Sequence, residues 1–102
     1  MNKSKAIYPM VLEKSLTSLE KVGAKLRQTR EEKLLTTKKL AQSLQIGEEQ
    51  LIALENGEEK LLPEHIFIKA MIRRVSDRLG LDAAPFLDQI QRDGHNNLNS
   101  SS

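Results

Sequence analysis

Apolar residues recur at helical spacing along most of this chain, and polar punctuation cuts the pattern into segments. Leu19, Val22 and Leu26 lie three and four apart and predict a first helix running to about Lys33. Thr17-Ser18-Leu19-Glu20 precedes it as a capping box, in which Thr17 and Glu20 satisfy each other's backbone donors. Gly23 lies on the apolar stripe. Glycine inside a helix costs about 1 kcal/mol against Ala, so its presence predicts the close approach of another helix. Thr36 caps a second helix to about Leu44, with Leu40, Ala41 and Leu44 facing inward. Gln45-Ile46-Gly47 forms a turn, and a third helix follows from about Glu48 to Asn56, burying Leu51 and Leu54 and stopping at Gly57.

A fourth helix is predicted from Pro63 to Leu79, with apolar residues on more than one stripe and Ile66, Ala70 and Leu79 assigned to the core. Gly80-Leu81 reads as its stop. Asp82 then caps a short fifth helix that buries Phe86, Leu87 and Ile90, with Pro85 tolerated in its first turn. No stretch shows the period-two alternation of a strand. The predicted fold is a single all-α domain of five helices over 18–92. An N-terminal extension (1–17) precedes it, with a lead-in helix over 9–16, and a disordered polar tail (93–102) follows. Leu12, Leu16 and Leu19 offer a dimer contact but are too few for a coiled coil.

Charge changes the picture more than composition does. The chain has 102 residues and a net charge of +2. Residues 1–47 carry +6, residues 48–64 carry −5 and residues 65–102 carry +1. The chain is basic at the front and acidic in the middle. Cys is absent, which excludes disulfides and thiolate metal sites. The two histidines, His65 and His95, are far apart, with no metal-ligand spacing around either. Neither a phosphate loop nor a nucleophile motif is present, so no enzyme activity, cofactor, metal or small-molecule substrate is expected. No apolar run approaches the roughly 18–20 residues of a membrane helix, and no signal peptide is read. The expected location is the cytoplasm.

Two short helices joined by a turn containing Gly, behind a longer first helix, describe a helix-turn-helix. Several elements within it are familiar: Gly23-Ala24-Lys25-Leu26-Arg27, Leu40-Ala41, Ala53-Leu54-Glu55-Asn56-Gly57, Leu62-Pro63-Glu64 and Leu79-Gly80-Leu81-Asp82. Over about 19–87 the sequence resembles the cytoplasmic helix-turn-helix domain of the RodZ family, a branch of the lambda-repressor-like DNA-binding fold. The resemblance implies a five-helix bundle and one of two partners. RodZ domains bind the actin-like filament protein MreB through an aromatic-bearing helix 4, and they precede a membrane span. Of those aromatics this sequence keeps Phe67, with Met71 and Val75 at the other positions. Lambda-repressor-like domains bind duplex DNA through the second helix of the motif.

Both partners remain open at this level. For a protein partner the candidate residues are Phe67, Met71, Arg73, Arg74 and Arg78, because an aromatic–Met–Arg grouping suits a protein contact. For DNA they are Arg27, Arg30, Lys38 and Lys39 on phosphates, with Glu49, Gln50 and Ala53 towards base edges. Lys38 and Lys39 stand in the first turn of helix 2, where cations oppose the helix dipole. Glu48 and Glu49 complement the dipole of helix 3, yet the phosphate field would repel them. A protein-interaction module is the leading expectation, and a DNA-binding regulator is the alternative.

Overall fold

The computed structural model of the protein describes residues 16–101. Among them every regular element is helical: α1 (Ser18–Glu32), α2 (Thr37–Leu44), α3 (Glu48–Asn56), a short 3₁₀ turn (Glu59–Leu61), α4 (His65–Leu79) and α5 (Ala84–Ser101). The expected lead-in helix over 9–16 lies almost wholly outside the described residues, as does Leu12 of the suggested dimer contact.

Local chemistry sets most of the boundaries. At the start of α1 the Thr17 hydroxyl accepts from the Glu20 N–H (3.1 Å), and the Thr17 N–H donates to the Glu20 carboxylate (2.7 Å). Thr36 caps α2 by accepting from the Lys39 N–H at 3.0 Å. Gly57, at φ +68°, ends α3, and Gly80, at φ +77°, ends α4. Leu81 then donates back to the Ser76 carbonyl at 2.8 Å and packs against the core, closing α4 in the manner of a Schellman motif. α4 itself begins at His65 rather than at Pro63, and its first turn has no side-chain cap.

The buried stripes of the five helices meet in one core. It contains Leu19, Val22 and Leu26 from α1, Leu40 and Leu44 from α2, and Leu51 and Leu54 from α3. α4 contributes Ile68, Ile72, Val75 and Leu79, and α5 contributes Ile90. Burying each such side chain fully is worth about 1.5–3 kcal/mol against leaving it in water. The α1–α3 contact is the most extensive, and Gly23 is the reason the two helices come so close. A Cβ built on Gly23 would lie 2.2 Å from the Leu54 carbonyl oxygen and 2.6 Å from that of Glu55. The close approach expected at Gly23 is therefore present, and α3 is the helix that makes it.

Two expectations need correction. α5 runs Ala84–Ser101 and is not short. The helical span includes residues 93–101. Ile66 and Ala70 are exposed rather than core. The inward side of α4 is set by Ile68, Met71, Ile72, Val75, Ser76 and Leu79, and neither residue shares that side. In the α2–α3 turn the left-handed residue is Gln45 (φ 58°), whereas Gly47 sits at φ −70° as the cap of α3. A non-glycine residue in this region is strained. Gln45→Gly is accordingly expected to stabilise the domain by about 0.5–1 kcal/mol, read as a rise in the urea midpoint at unchanged slope. A lowered midpoint would show that the Gln45 side chain contributes more than its backbone strain costs.

Candidate functional site

Two surfaces are expected from the sequence, one around α2 and α3 and one on α4, and the fold treats them differently. At the α2–α3 surface, Arg27, Lys38, Lys39, Glu49 and Gln50 are exposed. Arg30 and Ala53 are not available there. Ala53 is only 2% exposed, because α3 turns that position into the bundle against its neighbours. Arg30 is buried and bound on three sides. Its Nε donates to Glu55 Oε2 at 2.7 Å, its Nη2 to Glu55 Oε1 at 3.1 Å, and its Nη1 to the Leu35 carbonyl at 2.6 Å. This two-point pairing of guanidinium and carboxylate ties the end of α1 to α3 and to the α1–α2 loop. The hydrogen bond to Glu55 holds the Arg30 guanidinium above its usual range, against the opposing pull of burial, and the charges of Glu55 and Glu31 add to it. A cation raised in this way contributes its stability at every pH below its ordinary value and loses it only as pH climbs through the raised one. That window lies in strongly alkaline solution, so the Arg30 guanidinium stays charged across the ordinary range.

The remaining cations around α2 meet a mixed field. Arg27 pairs with Glu31 at 3.1 Å on the surface, a contact worth about 0.3–0.5 kcal/mol. The Thr37 hydroxyl donates to Glu48 Oε2 at 2.6 Å, which brings a carboxylate to the first turn of α2 beside Lys38. A phosphate approaching that helix start would meet this acid as well as Lys38 and Lys39, and repulsion from it opposes binding.

On α4, Phe67, Arg73, Arg74 and Arg78 are exposed as expected, while Met71 is not. Met71 is 7% exposed and belongs to the core, because it lies on the helix side shared with Ile68, Ile72 and Val75. It therefore lines the floor of this surface and offers little contact area of its own. An open groove of about 330 Å³ runs beside it, lined by Gln50, Pro63, Phe67, Ala70, Met71 and Arg74. Gln50, expected at DNA bases, is thus shared between α3 and the α4 groove. Arg74 also reaches back and donates to the Leu44 carbonyl at the C-terminus of α2, where a helix end leaves such groups unpaired.

Sequence reasoning missed two features of these surfaces. The first is Ile66, 69% exposed, next to Phe67 at 56%, with Leu61 exposed nearby on the 3₁₀ turn. The spacing of the buried α4 residues held that signal. The second is the Arg30–Glu55 pair. Arg30 continues the stripe of Leu19, Val22 and Leu26, and a charge on a core stripe calls for a buried partner. The sequence does not name that partner.

A three-residue turn holding α2 against α3, backed by α1 and closed by α4 and α5, defines a helix-turn-helix domain. The chain matches the helix-turn-helix domain family over residues 25–86, well over half its length, and belongs to that family. Neither the curated proteins nor the solved structures return a match. Among the described residues no helix is long and apolar enough to cross a membrane, and no cluster of His, Asp and Glu is arranged to hold a metal ion.

Proposed function

We propose that this helix-turn-helix domain is a noncatalytic interaction module that docks a protein partner on the exposed side of α4. The observation that carries the reading is the exposure of Ile66 and Phe67 beside a groove that Arg74 lines, with Arg73 and Arg78 exposed on the same helix. Large apolar residues gathered on a surface mark interaction sites, and aromatic and Arg side chains supply most binding hot spots. The resemblance to RodZ domains names the partner as an actin-like filament protein of the MreB type and the setting as the cytoplasmic side of a membrane-anchored protein.

The DNA-binding alternative rests on Lys38 and Lys39 at the start of α2. It is weakened by the engagement of Arg30 with Glu55, the burial of Ala53 and the acid at Glu48. Cosedimentation with MreB-type filaments tests the leading reading. Phe67→Ala combined with Arg73→Glu is expected to weaken binding by about tenfold or more. Both residues are exposed, so circular dichroism and melting should stay unchanged. Undiminished binding by the folded variant removes the α4 reading. Binding to duplex DNA that falls steeply with salt and is lost in Lys38→Glu with Lys39→Glu would put the regulator in its place.

A further inference from the structure

Along its exposed side α4 is bipolar in charge. Glu58, Glu59 and Glu64 lead into the helix and are all exposed, with Lys60 and His65 among them. The far half carries Arg73, Arg74 and Arg78, with Asp77 as its one acid, while Lys69 stands half-buried ahead of Ala70. Ile66, Phe67 and Ala70 form an exposed apolar stretch between the two ends. Ile66, Ala70, Arg73 and Asp77 follow one another at spacings of four, three and four, so they share one outward ridge.

We propose that this face, in the absence of another partner, is covered by a second copy of the chain packed antiparallel about a twofold axis near Ala70. A twofold contact uses the same patch on both subunits, so the patch must complement itself. A charge gradient along a helix does so only in the antiparallel sense, which lays the acidic end of one copy on the basic end of the other. Parallel packing would set like charges together. Centring the contact on Ala70 brings Phe67 opposite Arg74 of the second copy and Ile66 opposite Arg73 of the second copy, because each pair lies seven residues apart on one flank of the helix. A guanidinium and an aromatic face attract. The small side chain of Ala70 at the crossing lets the two helices approach closely, since side chains at the contact set the interaxial distance. Asp77 falls towards the end that carries Lys60 and His65, so the one acid of the basic half is also matched. The face is short, about 22 Å at 1.5 Å per residue, and its contact area makes a weak, concentration-dependent dimer. The inference rests on reading α4 as a docking face, and the dimer and the protein partner compete for it.

Sedimentation velocity of the full chain over about a hundredfold range of concentration tests it. A monomer–dimer equilibrium that weakens with added salt is expected. Arg73→Glu with Arg78→Glu makes both ends acidic, and Glu59→Arg with Glu64→Arg makes both ends basic. Each pair is expected to weaken self-association by roughly tenfold, and an equimolar mixture of the two variants should restore it as a heterodimer. A chain that stays monomeric throughout overturns the proposal. So does a dimer indifferent to both swaps, or a mixture that does not reassociate. The two readings part cleanly. A monomer whose filament binding depends on Phe67 keeps the proposed function and discards the dimer. A dimer with the expected swap behaviour and no filament binding keeps the dimer and discards the function.

Discussion

Gly23→Ala is expected to destabilise the domain by about 3 kcal/mol or more, at or beyond the top of the range of about 1–3 kcal/mol usual for overpacked cores. The added methyl would stand 2.2 Å from the Leu54 oxygen, 2.6 Å from the Glu55 oxygen and 2.8 Å from the Glu55 carbonyl carbon. Non-bonded carbon contacts are comfortable at about 3.5–4.0 Å. All three obstacles are backbone atoms in the last turn of α3, so no side chain can swing aside to relieve them. α1 and α3 must move apart to make room. The core side chains of the two helices would then pack less closely, and Arg30 would draw away from Glu55. Helix propensity favours Ala over Gly by about 1 kcal/mol, and the clash outweighs it. For a domain of this size a loss of that order lowers the melting temperature by more than about 10 °C. A variant that melts within a degree or two of the parent would mean that α1 and α3 do not approach as described.

Glu55→Ala is expected to be as damaging, by a different route. It leaves the Arg30 guanidinium buried without its counter-charge, and removing one member of a buried pair costs about 3–5 kcal/mol. The partner change, Arg30→Ala, strands the Glu55 carboxylate and also leaves the Leu35 carbonyl without its donor, which adds to the loss. The combined change Arg30→Met with Glu55→Leu should recover most of the stability, because apolar replacement of a whole buried pair is often neutral or better. Urea titrations of the single and double variants check this as a thermodynamic cycle. If Glu55→Ala costs less than about 1 kcal/mol, in the range of a surface pair, the Arg30–Glu55 contact is not the buried clamp described.

The elements whose determinants are local were legible in the sequence. The capping box at Thr17 and Glu20, the cap at Thr36 and the stops at Gly57 and Gly80 act within one turn of chain, and the predicted spans of α2 and α3 coincide with the observed ones. The tight approach at Gly23 was legible as well, because a helix interior disfavours glycine unless a neighbour occupies the room that the missing Cβ leaves. Features that depend on how helices rotate against one another were not legible. Whether Ala53 looks inward depends on where α1 and α4 sit around α3. Whether Ile66 and Ala70 are core depends on which of the two apolar stripes of α4 the bundle selects. The strain at Gln45 has the same origin, since the closure of α2 on α3 imposes it and the residue itself does not favour it. On the α4 surface, Phe67, Arg73, Arg74 and Arg78 could be named from residue type alone, but the groove between α3 and α4 that includes Gln50 could not.

Arg74 is engaged before anything arrives at that groove. One of its N–H groups holds the last carbonyl of α2, and its side chain also lines the hollow next to Phe67. An arginine has five donors in a fixed fork, so several remain free for an incoming carboxylate. An acidic ligand that approaches from the Phe67 side can use those donors and leave α2 secured. One that approaches over α2 must pull the fork away and strand the Leu44 carbonyl. On the proposed α4 docking, ligands of equal charge would then be told apart by their direction of approach, with Arg74 as the selector.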